Sequence, residues 1–158
     1  MKKIILLTIC VVFALVTKAQ TNIDELKYLQ SMFGMEKKQV VEERMKLSQA
    51  DAAKFWTLYE EYELYRSEVA EKRANNVQQY INNYTNITNA KADELLKNTF
   101  DINTEINKLW QKTYTKMAKE LSPVKAGQFI YLEMYFDALG RERAAEKIPH
   151  IGETKPVK

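Results

Sequence analysis

The chain has 158 residues, 24 lysines and arginines against 21 aspartates and glutamates, one histidine and one cysteine. That length suffices for one domain, and the scarcity of glycine and proline favours long helices over a sandwich or barrel. One cysteine excludes a disulfide scaffold, one histidine with one cysteine argues against a zinc site, and neither a phosphate loop nor a nucleophile with its base is present, so no catalytic residue, metal or cofactor is expected.

Lys2 and Lys3 precede an apolar run from Ile4 to Val16, and Thr17-Lys18-Ala19-Gln20 follows. This is the layout of a secretory signal peptide, and the run is short for a membrane span. Cleavage after Ala19 is expected, with an uncleaved anchor as the alternative. Residues 1–19 are then the signal, 20–151 a single all-helical domain and 152–158 a loose tail. Cleavage removes Lys2, Lys3, Lys18 and Cys10 but no acid, which leaves basic and acidic side chains equal in number. A neutral mature chain without cysteine needs no disulfide, is a poor partner for nucleic acid or acidic membranes, and keeps no stable membrane span.

Residues 22–33 read as a short helix, capped by Asn22 and stopped by Gly34. Met35 to Lys46 forms a second, strongly charged helix with few apolar positions, Val40, Val41 and Met45. Ser48 starts the first long helix. At 100° per residue, Phe55, Leu58, Tyr59, Tyr62, Tyr65 and Val69 fall within an arc of about 120°. The arc later holds Val77, Tyr80 and Tyr84, and it contains Arg66 and Arg73. Either both arginines snorkel, stems buried and heads in water, or the middle of this helix lines an open, wettable surface. Trp56 lies outside the arc and either packs on a neighbouring helix or is partly exposed. Glu60, Glu61 and Glu63 read as a solvated face; a carboxylate-only site for a hard cation is the alternative.

The polar stretch from Asn82 to Asn89 is the one clear break, and Thr88 or Asn89 caps the next helix. Asn83-Tyr84-Thr85 and Asn86-Ile87-Thr88 match the N-glycosylation pattern, which so Asn- and Thr-rich a turn produces by coincidence. The third stretch, 90–120, places Leu95, Ile102, Ile106, Leu109, Trp110 and Met117 on one face. Its threonine and asparagine content lowers intrinsic propensity, so packing must hold it. Ser122-Pro123 opens the last helix with a cap and a proline whose missing N–H costs nothing there. In the run from Phe129 to Phe136 only Glu133 is polar. A helix apolar all round must be buried on several sides, one of which a second subunit would cover. Ile148-Pro149 ends it, and His150 follows near a flexible end, where a general base has no orienting partner.

The most informative pattern is a repeat. Leu47-Ser48, Ala52, Phe55 and Leu58 recur 74 residues later as Leu121-Ser122, Ala126, Phe129 and Leu132, and Tyr62-Glu63 recurs as Phe136-Asp137. The physics is capping: Ser48 and Ser122 each accept a bond from a free N–H of the first turn, at a value of about 1 kcal/mol each. Asp51 reaches back as in a capping box and suits the positive helix end; Lys125 at the matching position does neither, and Pro123 compensates in part. Here the chain resembles the Spy/CpxP-like family of periplasmic proteins, whose hallmark is a pair of Leu-Thr-x-x-Gln motifs. Leu47 and Leu121 match the leucines, Ser48 and Ser122 stand for the threonines, and Asp51 and Lys125 replace the glutamines. The resemblance covers about residues 35–145. It implies a long-helix hairpin with short N-terminal helices, four to five helices in all, and a cradle-shaped antiparallel homodimer in the periplasm. It also implies one of three roles: ATP-independent chaperone, modulator of an envelope-stress sensor or sigma-factor pathway, or zinc binder, the last unsupported by one histidine.

Two functions are therefore expected. The first is an envelope-stress chaperone that holds unfolded clients on an open helical face, with Trp56, Tyr59, Arg66 and Arg73 as the candidate surface. The alternative is a signalling adaptor with one envelope partner.

Overall fold

The computed structural model describes residues 36–145, 148 and 149. The signal peptide at 1–19, the helix at 22–33, His150 and the tail at 152–158 lie outside the described residues. The chain divides into two units, 1–46 and 47–158. Of the first unit, a helix α1 over 36–45 is described, with Val41 and Met45 buried. Lys46, at φ 43°, takes the left-handed conformation with which helices commonly stop, a position glycine usually fills.

The second unit contains α2 (Gln49–Asn83), a 3-10 turn (Tyr84–Asn86), α3 (Asn89–Glu120) and α4 (Pro123–Ala145). The described residues form helices and no strand, in a long-helix hairpin arrangement. Each long helix starts on a hydroxyl. Ser48 accepts the Asp51 N–H at 3.2 Å, Thr88 the Lys91 N–H at 3.2 Å, and Ser122 the Lys125 N–H at 3.2 Å. Asp51 does reach back, but its carboxylate accepts the Ser48 hydroxyl at 2.7 Å, so the two side chains satisfy each other.

The helix α3 packs on both α2 and α4, whereas no Cα of α2 comes within 8 Å of a Cα of α4. The contacts between α2 and α4 advance together along both chains, so these two helices run parallel with α3 antiparallel to each. Large side chains bridge them. Phe129, fully buried, meets the rings of Phe55, Tyr59 and Tyr62 at centroid distances of 5.4, 5.9 and 5.3 Å, all edge to face. Phe55 and Phe129 hold the same place in the two copies of the repeat. The repeat is thus a register: two helices starting alike, side by side, present the same ring to each other.

Two features depart from expectation. In the run from Phe129 to Phe136 the inward position goes to Glu133, its single polar residue, 2% exposed, while Tyr131 and Tyr135 face out of the chain at 77% and 61% exposure, on the side left for a second subunit. In addition, Asn76 is buried in the seam between α2 and α3. Its amide donates to the Leu95 carbonyl and to Thr99 Oγ1, each at 3.0 Å, and accepts from Asn98 Nδ2 at 3.3 Å. A buried amide with donors and acceptor engaged pins the register of two helices.

Candidate functional site

The inner seam begins at the three rings around Phe129 and becomes polar one turn further on. Tyr62 donates its phenol to Glu133 Oε2 at 2.7 Å, and Trp110 Nε1–H, from α3, donates to the Tyr62 oxygen at 3.2 Å. All three helices thereby meet on one hydroxyl. Burial, and then the charge and hydrogen bond of Glu133, push the Tyr62 phenol far above its ordinary 10.0. Burial, followed by the charges of Glu63 and Glu133, does the same to Tyr59.

The arginines of the arc are placed by the repeated acids. Arg66 Nε donates to both oxygens of Glu63, at 3.1 and 3.0 Å. Burial pulls the Arg66 pKa down, but the charge and hydrogen bond of Glu63 and the charge of Glu133 outweigh it and the net shift is upward. Arg73 Nη1 meets Asp137 Oδ1 at 2.5 Å, and Arg141 Nε meets Asp137 Oδ2 at 2.7 Å. Arg141 Nη2 donates to Asn103 Oδ1 on α3 at 3.2 Å. Glu63 and Asp137 are the two acids that follow the repeat in step.

The four candidate surface residues are therefore not an open face. Tyr59 is buried against Phe55 and Phe129, and Trp56, half-buried, packs edge to face on Phe55 and Tyr59. Arg66 and Arg73 are about 30% exposed and bound to carboxylates. Their heads, partly exposed, are held by carboxylates, Arg66 on its own helix and Arg73 on α4. Of Glu60, Glu61 and Glu63, the first two keep a solvated face and Glu63 turns to Arg66. Glu60 is exposed and the Glu61 side chain is 40% exposed; Glu61 receives Lys116 at 2.5 Å, a bond that keeps its carboxyl below the ordinary 4.5. Leu47 and Leu121, half-buried, flank the caps formed by Ser48 with Asp51 and by Ser122 with Pro123.

A mixed apolar and charged surface exists elsewhere. Between α2 and α3, Leu58, Glu61, Tyr65, Leu109, Lys112 and Lys116 line a groove in which Lys116 is paired with Glu61, and Lys112 Nζ sits 5.0 Å from the centre of the exposed Tyr65 ring. On α4, Val124, Tyr131 and Tyr135 are exposed within an arc of about 40°, and on α3 Leu96, Phe100 and Tyr114 form a similar outer stripe. The Tyr65–Lys112 pair escaped sequence reasoning because its halves lie on different helices. Glu133 did carry a signal: a lone acid in an apolar run is the residue whose burial demands partners.

No cluster of histidine, cysteine or acidic residues that could hold a metal occurs among the described residues, and none of their helices is long and apolar enough to cross a membrane. No family model, curated protein or solved structure matches the chain.

Proposed function

We propose that this chain is an exported, periplasmic, ATP-independent chaperone of the Spy type, acting as a homodimer in the envelope stress response. Its clients are held on the outer faces of the hairpin. The observation that carries this reading is the groove where an exposed tyrosine ring, a lysine ammonium above it and the stems of Leu58 and Leu109 share one surface. An exposed cation–π contact contributes about 0.5–1 kcal/mol. Contacts of that size bind many unfolded segments and lock in none, as transient holding requires.

Aggregation of a reduced or chemically denatured client, with the cleaved chain added and no ATP, tests the proposal. Suppression at equimolar ratio is expected, and Tyr65→Ala with Lys112→Glu should weaken it several-fold while helicity and melting temperature stay near wild type. Absence of suppression at every ratio would sink it. The stripe of Val124, Tyr131 and Tyr135 favours a second reading, a signalling adaptor whose one partner lays a helix on α4. Crosslinking in the envelope separates the two: many partners for a chaperone, one dominant partner for an adaptor.

A further inference from the structure

We infer that the groove between α2 and α3 selects polypeptide segments in which two acidic side chains flank a large apolar one; this names the client class of the groove and so rests on the function proposed above. The observation is a row of lysines. Lys108, Lys112, Lys116 and Lys119 stand on α3 within an arc of about 80°. The two helices are antiparallel, so their side chains meet level by level. Lys116 pairs with Glu61 at 2.5 Å, and one turn away Lys112 Nζ lies over the Tyr65 ring. Continued in both directions, this register puts Glu68 near the level of Lys108 and Leu58 near that of Lys119. Acid and apolar residues therefore alternate on α2 against an unbroken row of lysines on α3.

Two charges of the row are left over. Glu61 and Glu68 offset two of the four lysines. At one end Lys72 and Glu105, at 2.6 Å, form a neutral pair. At the other, Lys54 Nζ donates to the Glu120 carbonyl at 3.5 Å, and the charges of those two residues cancel. Lys112 and Lys119 are exposed, and neither has an ion-pair partner among the described residues. What stands at their levels is apolar: the exposed Tyr65 and the half-buried Leu58, with Leu109 beside them. The Tyr65 ring takes one side of the Lys112 ammonium, and the N–H donors on the other side face solvent. Seven residues of helix place Lys112 and Lys119 about 10 Å apart along α3. An extended chain covers that distance in about three residues. A segment with acids at its first and fourth positions thus reaches both ammoniums and lays the side chain between them over Leu58 and Tyr65. Glu61 lies between the two levels with its charge offset by Lys116. Exposed ion pairs are weak singly, so the two acids and the apolar contact must act together.

Anisotropy of short labelled peptides with blocked ends, titrated with the cleaved full-length chain at low salt, tests this. Asp-Leu-Phe-Asp in a Gly-Ser background should bind about tenfold tighter than Lys-Leu-Phe-Lys and about threefold tighter than Asp-Asp-Leu-Phe. The first advantage should shrink in high salt. Lys112→Glu with Lys119→Glu should reverse the order of the Asp and Lys peptides, a result that loss of folding does not produce. Lys97→Glu with Arg143→Glu, an equal change of charge outside the groove, should leave the order as it is. The inference is overturned if Asp and Lys peptides bind alike, if adjacent acids serve as well as spaced ones, if both variants shift the order equally, or if the chain takes up anionic lipid vesicles and none of the peptides. Client aggregation with the same proteins keeps the two readings apart. Suppression without charge preference removes this inference and leaves the chaperone; charge preference without suppression upholds the selectivity of the groove and removes the chaperone.

Discussion

Phe129 and Glu133 are four residues apart on one face of α4, and together they decide how that helix sits. Phe129 fills the space between the rings of α2 that the separated backbones leave open. Glu133 is buried because Tyr62 supplies a hydroxyl at 2.7 Å, which offsets part of the cost of taking a carboxyl out of water. Phe129→Ala should lower stability by about 3–5 kcal/mol, the range for truncating a buried phenylalanine. Tyr131→Ala, two positions along but facing out, should stay within about 0.5 kcal/mol of wild type. Urea midpoints of the two variants check this, and equal losses would mean that α4 is turned differently.

At the scale of the element, α2 carries its arginines in structural ion pairs. Arg66 is held within its own helix by Glu63 and Arg73 across to α4 by Asp137. Charge reversal of either sets an acid against an acid. With each guanidinium about 30% exposed, the loss should be about 1–3 kcal/mol per site, below the range for fully buried pairs. Thermal melts followed by circular dichroism should show Arg66→Glu with Arg73→Glu melting well below wild type. Adding Glu63→Arg to Arg66→Glu should recover most of the first loss. An unchanged melt with weaker client binding would restore the open-face view of this helix. The arc predicted for α2 was legible because its apolar spacing is regular. The partners of its arginines were not, since one lies 64 residues away on a helix that gives no clue to its orientation.

At the scale of the whole molecule, the tyrosines of the inner seam set the alkaline limit of the fold. A phenol whose folded pKa is raised contributes stability that is fully present below its unfolded value and is lost as the pH rises through and beyond it. For Tyr59 and Tyr62 that loss begins at the ordinary value of 10.0. In an alkaline titration, part of the tyrosinate absorbance should therefore appear only in step with loss of helical ellipticity. If every tyrosine ionises while ellipticity is intact, the seam is open to water. On the acid side the sign reverses: Glu61, held low by Lys116, contributes stability present above its ordinary 4.5 and lost as the pH falls.

The starts of α2, α3 and α4 were determined by the sequence alone, because a serine or threonine cap acts on the N–H groups of its own first turn and needs no distant partner. Most of the inner faces of α2 and α3 followed from spacing, but Tyr65, which the same spacing put on the inner arc of α2, is exposed, because what lies opposite a given turn is not written in the spacing. The orientation of α4 was decided only in three dimensions. From Phe129 to Phe136 an apolar or aromatic side chain is available at nearly every angle, so periodicity selects no face. The rings of Phe55, Tyr59 and Tyr62 and the hydroxyl shared by Trp110 and Glu133 make the choice, and they turn the one acid of that run inward while Tyr131 and Tyr135 face out.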